Sequence, residues 1–512
     1  MARTRTPATR TTSATSSATS APAAPSRAWL DLRGPFVLPL LALLVTRMWM
    51  SSRMPYASED AYITFRYAWN LVHGAGAVFN PGEHVYGFTS APWMTWLALG
   101  LGLGQDPALW SRVSLVLADV VTLFAASSLL ERHASRTGAW CFAVMFALWP
   151  YCAALSMTGL EMSAFIALLA LSAWLIDRKH SAAGVALGLL AVFRPEGLLA
   201  AGALAWWASR RDRWVALGLV VAVLGALTLY YGSPIPHSVR AKAVTYGAPG
   251  PLHSLAWWDW TLPMSLSNRL GVTSEGANMV MYSLIASPAA LAGAFFLWKE
   301  RRRALAGTVL AAGAVWLSYI AVGASYFFWY LATPLFAWML LVACGLPRIA
   351  TGRWLYAAGT LALLGAWIYQ PYLYINRSLS EQGLFSGAGD FIAGNVAPGA
   401  TVMLEPLGII GWHAREQRFI DEVGLVAPAV TTRRAAGAGW YADVLRDQRP
   451  DWLLVRASLL SRGTALAGTG APFRSEAERT SAMAAYQVIA KGDSVSGDQN
   501  LIILKRIAQP SP

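Results

Sequence analysis

From residue 35 to about 370 the chain follows one pattern: apolar runs, with short loops carrying arginine or lysine between many of them. Runs of roughly 17–25 apolar residues are what a bilayer core of about 30 Å demands of a helix. Inside lipid every backbone N–H and C=O needs a partner within the chain, so such runs fold as helices. The whole sequence is 56% hydrophobic and 13% charged, against about 25% charged for an average soluble domain. The expected class is a polytopic α-helical membrane protein. The basic loops are Glu131 to Arg136, Asp177 to His180, Arg210 to Arg213, Lys299 to Arg303, and Pro347 to Arg353. Their spacing is the positive-inside pattern, so the net charge of +13 argues for membrane topology and against nucleic acid. Cys141, Cys152 and Cys344 all fall in apolar runs, which excludes a disulfide framework or a zinc spacing.

Residues 1–34 are rich in Thr, Ser, Ala, Pro and Arg and cannot build a core; a disordered cytoplasmic tail is expected. A first span at 35–50 leads to an outer loop at 51–107. Within it, 89–103 is short for a crossing, and it reads as a second helix at the outer interface. Spans are expected at 108–130, 139–156 and 160–176. Residues 181–209 must leave and return between two basic loops, so two half-length helices hinged at Arg194-Pro195-Glu196-Gly197 are expected. A span at 214–231, a long outer loop at 232–279, and spans at 280–298, 304–322, 326–346 and 353–370 complete about eleven membrane segments. From 371 to 512 the composition turns soluble. Strands are expected at 401–404, 452–455 and 501–504 and helices at 390–395 and 481–489, making a small extracytoplasmic α/β domain. The sequence shows no internal repeats.

The stretch Ser58 to Ser90, after the first span, is far more polar than what flanks it. Ser58 suits a helix N-cap, and Glu59 and Asp60 fall in the first turn, where the helix dipole favours anions. At 100° per residue Glu59, Ile63, Arg66 and Asn70 share one face, and Asp60, Thr64 and Tyr67 share another. The two carboxylates therefore point in different directions. An amphipathic interfacial helix decorated at its N-terminus is the plainer reading of the same residues.

Other ionisable groups stand at the outer side or inside spans: Glu161, Arg194, Glu196, His237, Arg240 and Lys242. Charges at membrane depth are costly and mark sites or pairs. Arg194 with Glu196 also reads as a structural brace for the hinge, and Glu161 as a helix cap. No Walker, GxSxG or HExxH pattern occurs, which removes nucleotide, serine-hydrolase and zinc-protease chemistry. An outward carboxylate beside cations suits transfer from a lipid-linked phosphosugar. The cations hold the phosphate, and the carboxylate takes the proton from an acceptor hydroxyl. A transporter or lipid-linked-sugar flippase is the rival class; paired repeats would be its mark.

The run Glu59-Asp60-Ala61-Tyr62-Ile63-Thr64-Phe65-Arg66-Tyr67-Ala68, with Asn80-Pro81-Gly82-Glu83 and Gly87-Phe88-Thr89-Ser90, resembles GT-C fold glycosyltransferases similar to the mycobacterial terminal arabinofuranosyltransferase. Thr158-Gly159-Leu160-Glu161, Arg194-Pro195-Glu196-Gly197, Pro236 to Lys242, Trp329 to Leu335 and Leu407 to Trp412 follow in that family's order. The resemblance implies an inverting enzyme of the bacterial plasma membrane that moves arabinofuranose from a polyprenyl-phosphate donor to a cell-envelope glycan or glycolipid. It also implies a first-loop acid as base: Glu59 by position, with Asp60 the alternative. The helical-face argument likewise prefers Glu59. Arg66, Glu161, Arg194, Glu196, His237, Arg240 and Lys242 are then candidates for binding donor phosphate or substrate. Glu59 stands where that family has Asp, and Tyr86 where it has Glu. No cofactor is assigned, and room is left for a divalent cation.

Overall fold

The computed structural model describes residues 36–246 and 274–507, apart from 323, 325–326, 351, 461–469 and 492–500. The tail at 1–34 and most of the 232–279 loop lie outside the described residues. The chain is mostly helical and multi-pass, with a small sheet near its C-terminus. Its first helices are α1 (Val37–Arg53), α2 (Glu59–Val72), α3 (Ala91–Gly102), α4 (Pro107–His133), α5 (Arg136–Leu148), α6 (Pro150–Leu155), α7 (Met162–Asp177), α8 (Ala183–Phe193), α9 (Gly197–Ala205), α10 (Arg210–Tyr231) and α11 (His237–Tyr246). Among the described residues, Pro107–His133, Arg210–Tyr231, Arg303–Ala321 and Phe328–Ile349 are long and apolar enough to cross a membrane by length and composition; α5, α7 and α8 are shorter apolar helices.

Proline sets two of the breaks. The span expected at 139–156 is two helices, because Pro150 has no N–H to give and holds Trp149 extended at φ −77°, ψ 121°. Arg194, before Pro195, is likewise extended at φ −146°, ψ 156°, and divides α8 from α9. The hinge carries charge between two apolar helices. Elsewhere small residues allow close packing: a Cβ on Gly345 would strike the Ala289 carbonyl, and one on Gly293 the Leu341 carbonyl. The helices Ser274–Lys299 and Ala332–Ile349 therefore touch backbone to backbone.

The C-terminal sheet has the order β2-β1-β3-β5-β4, with β1 Thr401–Leu404, β2 Arg418–Asp421, β3 Trp452–Arg456, β4 Tyr486–Lys491 and β5 Leu501–Arg506. β1, β2 and β3 run parallel; β5 is antiparallel to β3 and β4. The helix expected at 481–489 instead ends at Met483 and gives way to β4, whose aromatic and β-branched residues find a partner in β5. The helix expected at 390–395 is the end of one much longer helix, Gln370–Asn395.

The first loop is fastened to this sheet. Arg66 is fully buried, and its guanidinium donates to five carbonyls: Phe79 at 2.9 Å, Gly411 at 2.7 Å, Ala414 and Arg415 at 3.2 Å, and Gln417 at 2.8 Å. The Asn80 side-chain amide donates from Nδ2 to the Phe419 carbonyl at 2.8 Å and accepts at Oδ1 from the Phe419 amide at 2.9 Å, so one side chain of the loop satisfies both backbone groups of a β2 residue. The loop and the α/β unit therefore lie on one side of the membrane helices. Cysteines placed at exposed Gln105 and Asn395 should label together from one side of sealed cells, and one at exposed Ser181 only from the other. Split behaviour of the first two would contradict this arrangement.

Candidate functional site

Ser58 occupies the N-cap position of α2, but its hydroxyl makes no capping bond. The Glu59 amide is instead taken by the Glu381 carboxylate at 3.2 Å, from the helix Gln370–Asn395. Because Arg66 locks the rotation of α2, the two acids of its first turn face different neighbours. Glu59 accepts a hydrogen bond from the Gly408 amide, at the start of the helix Gly408–His413. A Cβ at Gly408 would strike the Glu59 main chain, so only glycine permits that approach. Burial first, then the Asp60 charge, push the Glu59 carboxyl well above its ordinary range; the Gly408 amide pulls it back only in part.

Asp60 faces a cavity instead. Asp60, Ile63 and Thr64 of α2, Phe88 and Thr89, Leu160 and Glu161, Arg194, Ser238 and Lys242 of α11, Trp329, Tyr330 and Leu425 line it. It encloses about 510 Å³ of non-protein space, its open mouth included. Lys242 Nζ is 3.3 Å from Asp60 Oδ2, and sits over the rings of Phe327 at 4.6 Å and Trp329 at 5.7 Å. Burial works to lower the Lys242 ammonium, but Asp60 and then Tyr330 outweigh it and hold it above its usual value.

The other candidates separate cleanly. Glu161 and Arg194 reach the cavity as an ion pair, with Glu161 also accepting from Thr89 Oγ1 at 2.7 Å. Arg194 Nε is 2.6 Å from Glu196, which also accepts from the Tyr319 hydroxyl. Glu196 thus stands behind Arg194 and is not on the cavity wall. His237 is not there either: its Nε2 lies 3.0 Å from Thr431 Oγ1 in the α/β unit and its amide donates to the Tyr86 carbonyl in the first loop, so it fastens α11 to both. Arg240 is exposed on the side of α11 away from Lys242. Arg66 does not line the cavity, and carbonyls take up its guanidinium; burial, then Arg415, push it down to about 9.

Several residues escaped sequence reasoning. Trp329 and Tyr330 come to the wall from a 3-10 turn, Phe328–Leu331, that opens a span. Arg47 and Asp119 form an ion pair at 2.9 Å with side chains 1% and 3% exposed, joining α1 to α4; charge inside two apolar runs was the signal for it. Among the described residues no three His, Cys, Asp or Glu side chains are grouped to hold a metal ion. The cavity acids Asp60 and Glu161 are each paired with a cation instead.

A family model described as a domain of unknown function, DUF8728, matches residues 375–501. The terminal beta-(1->2)-arabinofuranosyltransferase of Mycobacterium tuberculosis (strain ATCC 25618 / H37Rv) is 29% identical over 239 residues, 40% of this chain and 38% of that protein. The chain thus matches well under half of that relative's length. Among solved structures, ArnT from Cupriavidus metallidurans bound to undecaprenyl phosphate is similar at TM-score 0.55 and 11% identity, over 93% of this chain and 99% of that one. That likeness is one of fold, and the fold is GT-C.

Removing Arg66 tests its structural role. Arg66→Met takes a donor from five carbonyls, of which Phe79 keeps another from Asn70 Nδ2 at 3.0 Å, at about 1–3 kcal/mol for each buried one left unsatisfied. A fall in thermal midpoint with early proteolysis of the α/β unit is expected. An unchanged midpoint would contradict the assignment.

Proposed function

We propose that this chain is an inverting glycosyltransferase that moves a sugar from a polyprenyl-phosphate donor to a cell-envelope glycan or lipid acceptor at the outer face of the bacterial plasma membrane. Arabinofuranose is the sugar the sequence resemblance favours. Residues 35–370 are read as the membrane domain and 371–512 as an extracytoplasmic α/β domain over its site. One observation carries the proposal: Asp60, a carboxylate with its face to a cavity, stands beside the cation Lys242 and the aromatic wall of Trp329 and Tyr330.

The roles follow from what each group has free. Arg194 is already held by Glu161 and Glu196, so it braces the hinge and adds its charge at a distance. Lys242 is the cation that meets the donor phosphate, by a charge-assisted hydrogen bond. Asp60 takes the proton of the acceptor hydroxyl as that oxygen bonds to the anomeric carbon. The bond from that carbon to the phosphate oxygen breaks, and polyprenyl phosphate leaves with the electron pair, its negative charge facing Lys242. A planar aromatic face suits the apolar side of a sugar ring, which gives Trp329 a place in holding it. Glu59 is anchored to Gly408, its carboxyl held well above the ordinary range by burial and then by the Asp60 charge. The resemblance and the helical-face argument preferred Glu59 as base; the orientation of α2 favours Asp60.

Two substitutions separate the acids. Asp60→Asn should lose roughly 10²–10⁴-fold in turnover, the usual worth of a positioned base. Glu59→Gln should keep most of it, because Glu59 faces Gly408 rather than the cavity and the amide oxygen can still accept that bond. The folded state holds a proton on Glu59 that the unfolded chain gives up near pH 4.3. Wild-type stability therefore declines as pH rises from there through the raised folded value, and Glu59→Gln should flatten that decline. Turnover with a synthetic polyprenyl-phosphate arabinofuranose and thermal midpoints across pH check both. A dead Glu59→Gln beside an active Asp60→Asn would reverse the assignment.

A further inference from the structure

Base and phosphate cation touch each other in this structure, with Lys242 Nζ 3.3 Å from Asp60 Oδ2. Inverting transfer cannot run from that arrangement. The attacking and departing oxygens lie on opposite sides of the anomeric carbon. The attacking oxygen needs to stand about 3–3.5 Å from that carbon, with the base about 2.6–3.2 Å further out. The sugar must therefore come between Asp60 and the phosphate, and hence between Asp60 and Lys242.

Lys242 is built to change partners. Its ammonium is held from one side by the rings of Phe327 and Trp329. The side chains of Lys242 and Asp60 remain 22% and 28% exposed, whereas those of Arg194 and Glu161 are both 5% exposed. A second group waits on the same helix. Ser238 is one turn before Lys242, on the same face of α11. It is 2% exposed and lines the cavity, and its hydroxyl has no hydrogen-bond partner among the described residues. A buried hydroxyl left without a partner costs free energy that a ligand oxygen would recover.

We propose that Lys242 and Ser238 form the phosphate subsite for the lipid donor, and that Asp60 is its resting occupant. The donor phosphate takes Lys242 from Asp60 and accepts the Ser238 hydroxyl, and only then is Asp60 free to receive the acceptor proton. An empty site thus keeps its base neutralised. This rests on the reading of Asp60 as base.

The test is binding of a sugar-free polyprenyl phosphate, which cannot react, to the full-length protein in lipid nanodiscs. Asp60→Asn should bind it about two- to fivefold more tightly than wild type, the scale of a partly exposed ion pair. Ser238→Ala should bind it more weakly. Asp60→Asn in a Lys242→Met background should show no gain over Lys242→Met alone, because the competition has lost its object. Equal or weaker binding by Asp60→Asn overturns the proposal, as does a gain that survives without Lys242. Asp60→Ser gives the same reading should the Asn variant not fold. Turnover measured on the same Asp60→Asn preparation keeps the two claims apart. Retained turnover removes Asp60 as base, whereas lost turnover with unchanged affinity removes only the gate.

Discussion

The site depends on how one buried guanidinium is satisfied. Among the described residues Arg66 has no carboxylate partner, so the energy of burying it is offset by carbonyl oxygens and by the rings of Phe79 and Phe419, 4.4 and 4.8 Å from its guanidinium carbon. Those carbonyls come from Phe79 in the first loop and from Gly411 to Gln417 in the α/β unit. The two parts of the chain can satisfy Arg66 only by docking together, and docking leaves α2 one rotation. That rotation sends Glu59 to Gly408 and Asp60 to the cavity. A structural demand from one residue thereby becomes a division of labour between two acids that are neighbours in sequence.

The ion pairs around the cavity and between the apolar helices differ in kind. Arg47–Asp119 and the Glu161–Arg194–Glu196 group are almost fully enclosed and carry extra hydrogen bonds, from hydroxyls to their carboxylates and from Arg47 to a carbonyl. Removing one member of such a pair leaves an uncompensated charge in a poor medium for it, so these pairs hold geometry. Asp60–Lys242 is longer, more open and backed by rings that cannot saturate the ammonium. An open pair beside an unpartnered hydroxyl is the arrangement that a ligand can enter.

Much of this was legible beforehand, for identifiable reasons. Membrane helices announce themselves by length and apolarity. The hinge at Arg194 announced itself because a proline and two charges interrupt an apolar stretch too short to cross twice. Helical periodicity separated the faces of Glu59 and Asp60. Periodicity does not say what each face meets, so Arg66 read as a ligand-binding cation rather than a staple. Four of the five carbonyls that hold it are some 350 residues away in sequence, and backbone oxygens leave no mark in composition. Arg240 and Lys242 looked alike as two nearby cations until the register of α11 put them on opposite sides. Trp329 and Tyr330 sat within an apolar run and carried no signal of a wall. The helix expected through 481–489 failed at β4 because pairing with β5 outweighed local preference.

The most direct measurement is a structure of the full chain in nanodiscs with an unreactive polyprenyl-phosphate sugar analogue. The account predicts the phosphate on Lys242 and Ser238, with the sugar ring against Trp329. Asp60 should be separated from Lys242, its carboxylate facing the anomeric carbon on the side opposite the phosphate, while Glu59 remains on Gly408. An analogue bound with the Asp60–Lys242 pair still closed, or with Glu59 turned toward the anomeric carbon, would contradict it.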